Sequence, residues 1–372
     1  MTTPTVVLLP VWAAGHLMSM LDAGKRLLAR SGGALSLTVL VMPAPGENHR
    51  CEVAAHIQRE EASGLDIRFH HLPAVEPPTD CLGIEEFVSR FVQLHAAHVK
   101  AAVSGLACPV AALVLDFFCT TMLDVSRELA VPAYVYITAD AAFCALLLRL
   151  PALHEEVAVE FEEMEGMVGV PGLPPVPPSS LPVPVMDKKN PNYTWFMYHG
   201  RRFTEAKGVI INTVTELEQS VLAAIGDGWC APGFPAPAVY PAPQKEILAH
   251  AAVGGFVTHG GGNSTLESLW FGVPMVPWPL YAEQHLNAFT LVAYMGVAVA
   301  MEVDRKRNNF VAASELERAV KALMERDSEE GKRAREKAAE MKAACRKAVE
   351  EGGSSYSALG RLSEAIIKGA SK

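Results

Sequence analysis

The first 140 residues alternate short apolar runs with amphipathic stretches, and this alternation constrains the fold more than any other feature of the sequence. Val6–Pro10 is an unbroken apolar run, typical of a strand buried on both faces. A helical pattern follows from about Leu17 to Arg30 and ends at the sequence SGG. Further strands are predicted at Leu35–Met42, Ile67–Leu72, Ala111–Leu115 and Val131–Ile137, with a helix at Glu85–Ser104 and another after the fourth strand. Repeated βαβ units predict an α/β fold with a doubly wound parallel sheet.

The middle of the chain interrupts this pattern twice. Residues 171–192 are rich in proline, which neither a helix nor a central strand tolerates, so they form either a surface linker or a loop that closes over a cleft. A strand at Val209–Asn212 and a helix at Glu216–Ile225 follow. The second irregular segment, from Gly226 to Pro243, indicates a domain boundary.

The last third of the chain is poor in strands. Three are predicted, at Gly255–Thr258, Val273–Val276 and Val297–Val303. After them the chain is helical, with a capping box formed by Ser314 and Glu317. Three strands make a thin second domain.

Composition excludes several classes of protein. The 372 residues carry a formal net charge of −9 without a basic stripe, which argues against nucleic-acid binding. Seven cysteines, an odd number without a CxxC pair, indicate reduced thiols in a cytoplasmic protein rather than disulfides or a zinc site. The N-terminal apolar run lacks the preceding basic residues of a secretory signal, and Ala141–Leu148 is too short to span a membrane.

The segment Phe256–Gly272, FVTHGGGNSTLESLWFG, is the most informative local pattern. A strand enters a loop of three glycines, and a helix is expected to begin at Asn263 or Ser264. Free backbone N–H groups at that helix start, with His259 beside them, could hold a phosphate, although a tight structural turn would use the same residues. The segment is neither a P-loop nor a dinucleotide fingerprint, because the third glycine of the latter would fall on Thr265. This disfavours an NAD-dependent oxidoreductase.

Acidic and amide side chains flank the glycine loop. Glu267 follows Asn263 by four residues, so both can face one ligand across a helical turn. Glu283 and Gln284 come after the strand VPMVPWP, where a carboxylate beside an amide suits vicinal sugar hydroxyls. Each of these pairs alone is more often an ordinary surface pair.

Two polar residues end strands in the first half. His16 follows the first strand in a glycine-containing turn, and Asp116 ends the strand ALVLD. In open α/β sheets ligands bind beyond the carboxyl ends of the strands. If the two strands are close, Asp116 could accept a hydrogen bond from His16 and leave the other ring nitrogen as a base, but a lone histidine is more often structural.

The chain resembles the plant UDP-dependent glycosyltransferases of secondary metabolism. The resemblance rests on residues 242–284, APQKEILAHAAVGGFVTHGGGNSTLESLWFGVPMVPWPLYAEQ, which are similar to this family's signature box without a gap. The segments PVWAAGHLMSMLDAGKRLL, LVLDFFCT, YVYITADAA and GVIINTVTELE resemble its acceptor domain. The resemblance implies two Rossmann-like domains facing across a cleft, the GT-B type.

Site roles follow from the same resemblance. It implies that His16 is the catalytic base and Asp116 its partner. The residues expected to bind the donor are Gln244 at the nucleoside, His259, Gly262, Asn263 and Ser264 at the diphosphate, Glu267 at the ribose, and Trp278, Glu283 and Gln284 at the sugar. The glutamine that ends the signature box, here Gln284, resembles the form of the box in glucose-preferring members.

The implied reaction is inverting transfer of glucose from UDP-glucose to a hydroxyl of a small lipophilic plant metabolite, such as a phenol or flavonoid. The helix start and His259 would offset the phosphate charge, so neither a metal nor another cofactor is implied. We expect a monomer without nucleic-acid partners. The acceptor itself cannot be read, because segments such as 75–90 and 140–195 would build its pocket.

The sequence departs from the family at three places. Pro241 replaces the tryptophan that should stack on uracil, and Gly262 replaces a second tryptophan. The family is also longer, and the shortfall falls near Pro241, where the first strands of the donor domain should be. Removing part of a doubly wound sheet uncovers apolar surface; at about 25 cal/mol per Å², a few hundred Å² costs several kcal/mol.

We therefore expect an acceptor domain in residues 1–235, a truncated UDP-sugar-binding domain in residues 236–355, and a helix in residues 356–372 that returns to the first domain. Two hypotheses remain: an active glucosyltransferase, or a non-catalytic variant that keeps an acceptor cleft and binds donor poorly.

Overall fold

The computed structural model describes residues 3–241 and 247–370. Its main sheet has seven parallel strands in the order β3-β2-β1-β4-β5-β6-β7. The strands are β1 Thr5–Leu9, β2 Ser36–Val41, β3 Ile67–His71, β4 Val110–Asp116, β5 Ala133–Ile137, β6 Gly208–Ile211 and β7 Ala238–Val239. The predicted parallel sheet is confirmed.

Helices cover both faces of this sheet and make up most of the C-terminal part. They are α1 Ala14–Ser31, α2 Glu47–Glu61, α3 Ile84–Leu94, α4 Ala96–Ser104, α5 Leu123–Glu128, α6 Ala141–Glu156, α7 Pro191–Phe203, α8 Gln219–Gly226, α9 Gly262–Phe271, α10 Gln284–Phe289, α11 Ala313–Met324, α12 Glu329–Val349 and α13 Ser354–Ala370. A π-helical turn, Thr290–Tyr294, follows α10, and short 3₁₀ turns lie at 117–122, 161–163, 178–180, 183–185, 247–249 and 305–307. In the described part of the chain no helix has the length and apolar character that crossing a membrane requires.

The apolar runs of the sequence form the sheet's core. Every residue of β1, β2 and β5 is buried, as expected for strands covered on both faces. The predicted single helix from Glu85 to Ser104 is wrong in one respect. His95 leaves the helical region with ψ near 0°, and its buried ring bonds to the carbonyl of Phe91 at 3.0 Å, so two helices form instead of one.

The C-terminal sheet is smaller than expected. Among the described residues it has two parallel strands, β8 Phe256–Thr258 and β9 Met275–Pro277. The third predicted strand, Val297–Val303, is wrong, because only Ala298 forms a bridge to β9 before the chain turns away. The predicted cap at Ser314 is also wrong, because Ser314 lies inside α11, which begins at Ala313 and has Ala312 as its N-cap.

The boundary of the first domain lies beyond residue 235. Residues 238–239 form β7 and pair in parallel with β6, so the first sheet extends into the segment that we expected to belong to the second domain. The last helix, α13, packs on this same domain. Leu359, Leu362 and Ile366 join the core formed by α1 and β4, and Arg30 of α1 stacks on Tyr356 at 3.8 Å.

Candidate functional site

His16 and Asp116 lie in contact at the carboxyl edge of the main sheet. Strands β1 and β4 are neighbours, so the turn after β1 and the end of β4 meet there. His16 Nδ1 is 2.6 Å from Asp116 Oδ2, and the other carboxylate oxygen accepts the backbone N–H of Phe118 at 3.0 Å. The Asp116 side chain is fully buried, whereas His16 is 24% exposed. The ring is thus held in one orientation with Nε2 left for a ligand.

The electrostatics of this pair favour a proton on the ring. Burial lowers the pKa of His16, but the charge and hydrogen bond of Asp116, with a smaller contribution from Glu283, outweigh burial and raise it. A histidine so placed can take a proton from a ligand and hold it as an imidazolium beside the carboxylate.

A cavity of about 480 Å³ lies in front of His16, between the two parts of the chain. Its first-domain side is mostly apolar and includes the aromatic side chains of Trp12, Phe117, Phe118, Phe143 and Phe196. Its second-domain side is polar, formed by His259, Asn263, Ser264, Glu283 and Gln284 among others. An apolar cleft with convergent polar groups is typical of a small-molecule site.

The glycine loop presents the start of α9 to this cavity. Gly260 has a φ of +78°, a left-handed conformation that side chains disfavour, and α9 begins at Gly262. A Cβ on Gly262 would lie 3.1 Å from Ala139 Cα and from the carbonyl oxygen of Thr138. The glycine therefore permits α9 to approach the loop after β5 closely, at the position where the family's tryptophan is expected.

The amide of Asn263 is engaged between the two domains. Its Nδ2 donates to the carbonyl of Gly15 at 3.0 Å, and its Oδ1 accepts from Asn212 at 3.0 Å. His259 and Ser264 lie beside it in the cavity wall. The structure thus brings these predicted residues together.

Glu283 and Gln284 both line the cavity but differ in surroundings. Burial raises the pKa of Glu283, although its own backbone N–H, His16, Asn287 and the N–H of Gly262 act in the opposite direction. Gln284 is 2% exposed, and its side-chain oxygen accepts the N–H groups of Leu280 and Tyr281 at 2.9 and 3.1 Å. Only the NH₂ group of Gln284 is left for a ligand.

Two of the predicted donor residues that the structure describes do not line the cavity. Glu267 is 4% exposed and is not among the residues that line the cavity. Trp278 donates its indole N–H to the carbonyl of Asn309 at 2.9 Å and is likewise absent from the wall. Gln244 lies outside the described residues.

Sequence reasoning missed the aromatic wall and one acid. Phe117 and Phe118 directly follow Asp116 at the strand end, which is the signal that could have placed them. Glu85 at the start of α3 also lines the cavity, and no sequence pattern distinguishes it from Glu86. Among the residues described, no group of three or more His, Cys, Asp or Glu side chains could hold a metal ion.

Comparison with known families matches the segment that contains the glycine loop and α9. The sequence profile of a family described as UDP-glucoronosyl and UDP-glucosyl transferase matches residues 230–332. Malvidin galactosylase UGT88C3 of Oryza sativa subsp. japonica is 50% identical over 475 residues, which cover 99% of this chain and 98% of the relative. UDP-glucose flavonoid 3-O-glucosyltransferase 6 of Fragaria ananassa is 30% identical over 480 residues, covering 97% and 98%.

Solved structures agree with this likeness. Medicago truncatula UGT71G1 complexed with UDP-glucose matches with a TM-score of 0.84 and 28% identity, covering 98% of each chain. The expected α/β fold of GT-B type, with two Rossmann-like domains facing across a cleft, is confirmed. The incompleteness of the second domain stays a prediction.

Proposed function

Because this chain belongs to the plant UDP-glycosyltransferases, a family of glycosyltransferase enzymes, we propose that its reaction is transfer of glucose from UDP-glucose to a hydroxyl of a small phenolic or flavonoid-like metabolite. The observation that carries the proposal is the 2.6 Å contact between His16 and Asp116 at the mouth of an aromatic cavity. The Fragaria ananassa relative, named for UDP-glucose and flavonoids, supports the substrate classes. Gln284 matches the form of the signature box that resembles glucose-preferring members.

In the proposed mechanism, Nε2 of His16 takes the proton of the acceptor hydroxyl as its oxygen attacks the anomeric carbon. Asp116 stabilises the resulting imidazolium through the bond to Nδ1. The bond to the diphosphate breaks as the new glycosidic bond forms on the opposite face, so the configuration inverts and UDP leaves with the electron pair.

The start of α9 would stabilise the charge that develops on the leaving diphosphate. The backbone N–H groups and the partial positive charge of a helix start favour an anion there, and His259 and Ser264 line the same wall. These groups are the basis for proposing that no metal is required. Addition of a chelator should leave the rate unchanged.

A second candidate is a non-catalytic protein that binds acceptors and holds donor poorly. Three observations favour it: the two-stranded C-terminal sheet, the engagement of Asn263 with Gly15 and Asn212, and the absence of Glu267 from the cavity lining. The alignment with the rice relative runs over 475 residues, more than the 372 of this chain, although nearly all of both proteins is covered. This supports the absence of an internal segment.

Transfer of labelled glucose to a panel of phenols and flavonoids distinguishes the two candidates. The active enzyme should form glucosides at a rate far above that of His16→Ala, whereas equal rates would favour the second candidate. UDP-galactose should be assayed in parallel, because the rice relative is named a galactosylase. Calorimetric titration with UDP-glucose tests the donor side: micromolar affinity would contradict the second candidate.

We also propose that the protein is monomeric and cytoplasmic. All seven cysteines are free thiols, the state expected in a reducing compartment. Light scattering on purified protein and microscopy of a tagged chain in plant cells would test the two statements separately.

A further inference from the structure

Glu85 places a buried carboxylate in the wall of the site cavity. It is the second residue of α3 and is 5% exposed. Within residues 3–241 and 247–370, its carboxylate accepts a hydrogen bond only from its own backbone N–H. A buried acid with so few partners is costly, so its orientation toward the cavity requires an explanation.

Capping of α3 does not explain the buried carboxylate of Glu85. Glu86 accepts the N–H of Leu82 at 2.8 Å and pairs with Arg90 at 3.1 Å. The N–H of Glu86 is in turn bonded to Asn192 at 3.0 Å. The neighbouring acid thus serves the helix start, and Glu85 is left facing the space where an acceptor would lie.

The surroundings of Glu85 make it sensitive to what enters the cavity. Burial, with a smaller effect of Glu283, raises the pKa of Glu85 to about 7. The carboxyl group is therefore poorly solvated and would gain a strong hydrogen bond from a ligand hydroxyl. The remaining first-domain wall is mostly aromatic and apolar, and provides few other sites of this kind.

We propose that Glu85 determines acceptor specificity by accepting a hydrogen bond from a second hydroxyl group of a polyhydroxylated aromatic acceptor, while His16 engages the hydroxyl that reacts. Two polar contacts at separate points of one aromatic cavity fix both the position and the orientation of a flat ligand. The preferred acceptors are thus di- or polyhydroxylated aromatics rather than simple phenols. This inference rests on the proposed function.

The magnitude of the preference follows from the burial of the carboxylate. A ligand that lacks the second hydroxyl leaves Glu85 buried and without a new partner, so it should bind about 10- to 100-fold more weakly. Glu85→Leu removes this difference, because an apolar side chain needs no partner. Glu85→Gln should keep part of it, since the amide oxygen still accepts a hydrogen bond.

The test measures binding rather than turnover, so it stays informative if the chain transfers no glucose. Affinities are determined by calorimetry for a dihydroxylated aromatic and for its analogue with the second hydroxyl replaced by hydrogen. We expect a ratio of dissociation constants of about 10 or more in the wild type and near unity in Glu85→Leu. Glu61→Leu, at the exposed C-terminal end of α2, is the matched control and should retain the wild-type ratio.

Two outcomes would overturn the proposal: a wild-type ratio near unity, or an unchanged ratio in a folded Glu85→Leu variant. If that variant does not fold, the ratio is measured for Glu85→Gln at pH 8. A ratio as large as that of the wild type would then also overturn the proposal, because the ionised acid should be a stronger hydrogen-bond acceptor than the amide. Failure of the proposed function is recognised separately, as glucose transfer equal to that of His16→Ala.

Discussion

The side-chain amide of Asn263 donates a hydrogen bond to the backbone carbonyl of Gly15 over 3.0 Å, which joins the start of α9 to the start of α1. The oxygen of the same amide accepts from Asn212 at 3.0 Å. A residue that the resemblance assigns to the diphosphate therefore also holds the two domains together at the edge of the cavity.

Asn263→Ala should destabilise the chain, because it removes both of these hydrogen bonds. We expect a loss of about 1–2 kcal/mol in the free energy of unfolding, measured by urea denaturation. Asn263→Asp is the matched variant, since it keeps the acceptor for Asn212 and loses the donor to Gly15. An Asn263→Ala variant as stable as the wild type would show that the contact contributes nothing to domain docking.

Asp116→Asn should lower the rate of glucose transfer and move its pH profile. The pKa of His16 is raised by Asp116, and the neutral ring is the base, so activity rises as pH passes through this pKa. Without the carboxylate, the acidic limb of the pH-rate profile should shift to lower pH. The maximal rate should fall about 10²- to 10⁴-fold. A pH-rate profile for both proteins measures this. An unshifted limb would exclude His16 as the titrating base.

Gly262→Ala should destabilise the approach of α9 to the first domain. The added Cβ would meet the backbone of Thr138 and Ala139 at 3.1 Å, and backbone yields less easily than a flexible side chain. We expect a cost of about 1–3 kcal/mol by urea denaturation. Gly169→Ala is the control, because a Cβ there meets nothing within 4 Å. Equal stability of the two variants would contradict the tight contact.

Glu218→Gln should weaken the start of α6. The Glu218 carboxylate accepts the N–H groups of Ala141 and Ala142 at 2.9 Å each, and the hydroxyl of Thr213 at 2.6 Å. A glutamine offers one acceptor oxygen in place of two, so a buried N–H loses its partner at a cost of about 1–3 kcal/mol. Stability measured by urea denaturation at pH 5 would reveal it, and an unchanged value would contradict the capping role.

The same variant should alter the pH dependence of stability. Burial raises the pKa of Glu218, and burial together with Glu218 raises that of Asp140. The folded state then holds protons that the unfolded state has lost, so stability falls as pH rises from the usual carboxyl range toward the raised pKa values. Glu218→Gln should flatten this slope, as unfolding measured between pH 4 and 8 would show. A slope as steep as that of the wild type would count against a buried acid pair.

The main sheet and the strand-end positions of His16 and Asp116 could be predicted because they depend on local signals. Unbroken apolar runs identify buried strands, and the carboxyl ends of neighbouring parallel strands lie at one edge. The contact itself required β1 and β4 to be adjacent, which follows from the sheet order and not from the sequence.

Other site features depend on long-range packing and could not be predicted. Trp278 turns toward Asn309, and the oxygen of Gln284 is used by the backbone of Leu280 and Tyr281. Val297–Val303 has the composition of a strand, yet only one bridge to β9 forms. In each case the contact depends on a partner elsewhere in the fold, so the local sequence pattern does not determine it.

The return of α13 to the first domain has a mechanical consequence. The chain departs from the main sheet after β7 and rejoins it through α13, so the second domain is attached at two points rather than one. A domain joined by a single linker can rotate and translate freely, whereas two connections leave mainly a rotation about the line between them. Opening of the cleft to admit or release ligands should therefore follow one hinge axis.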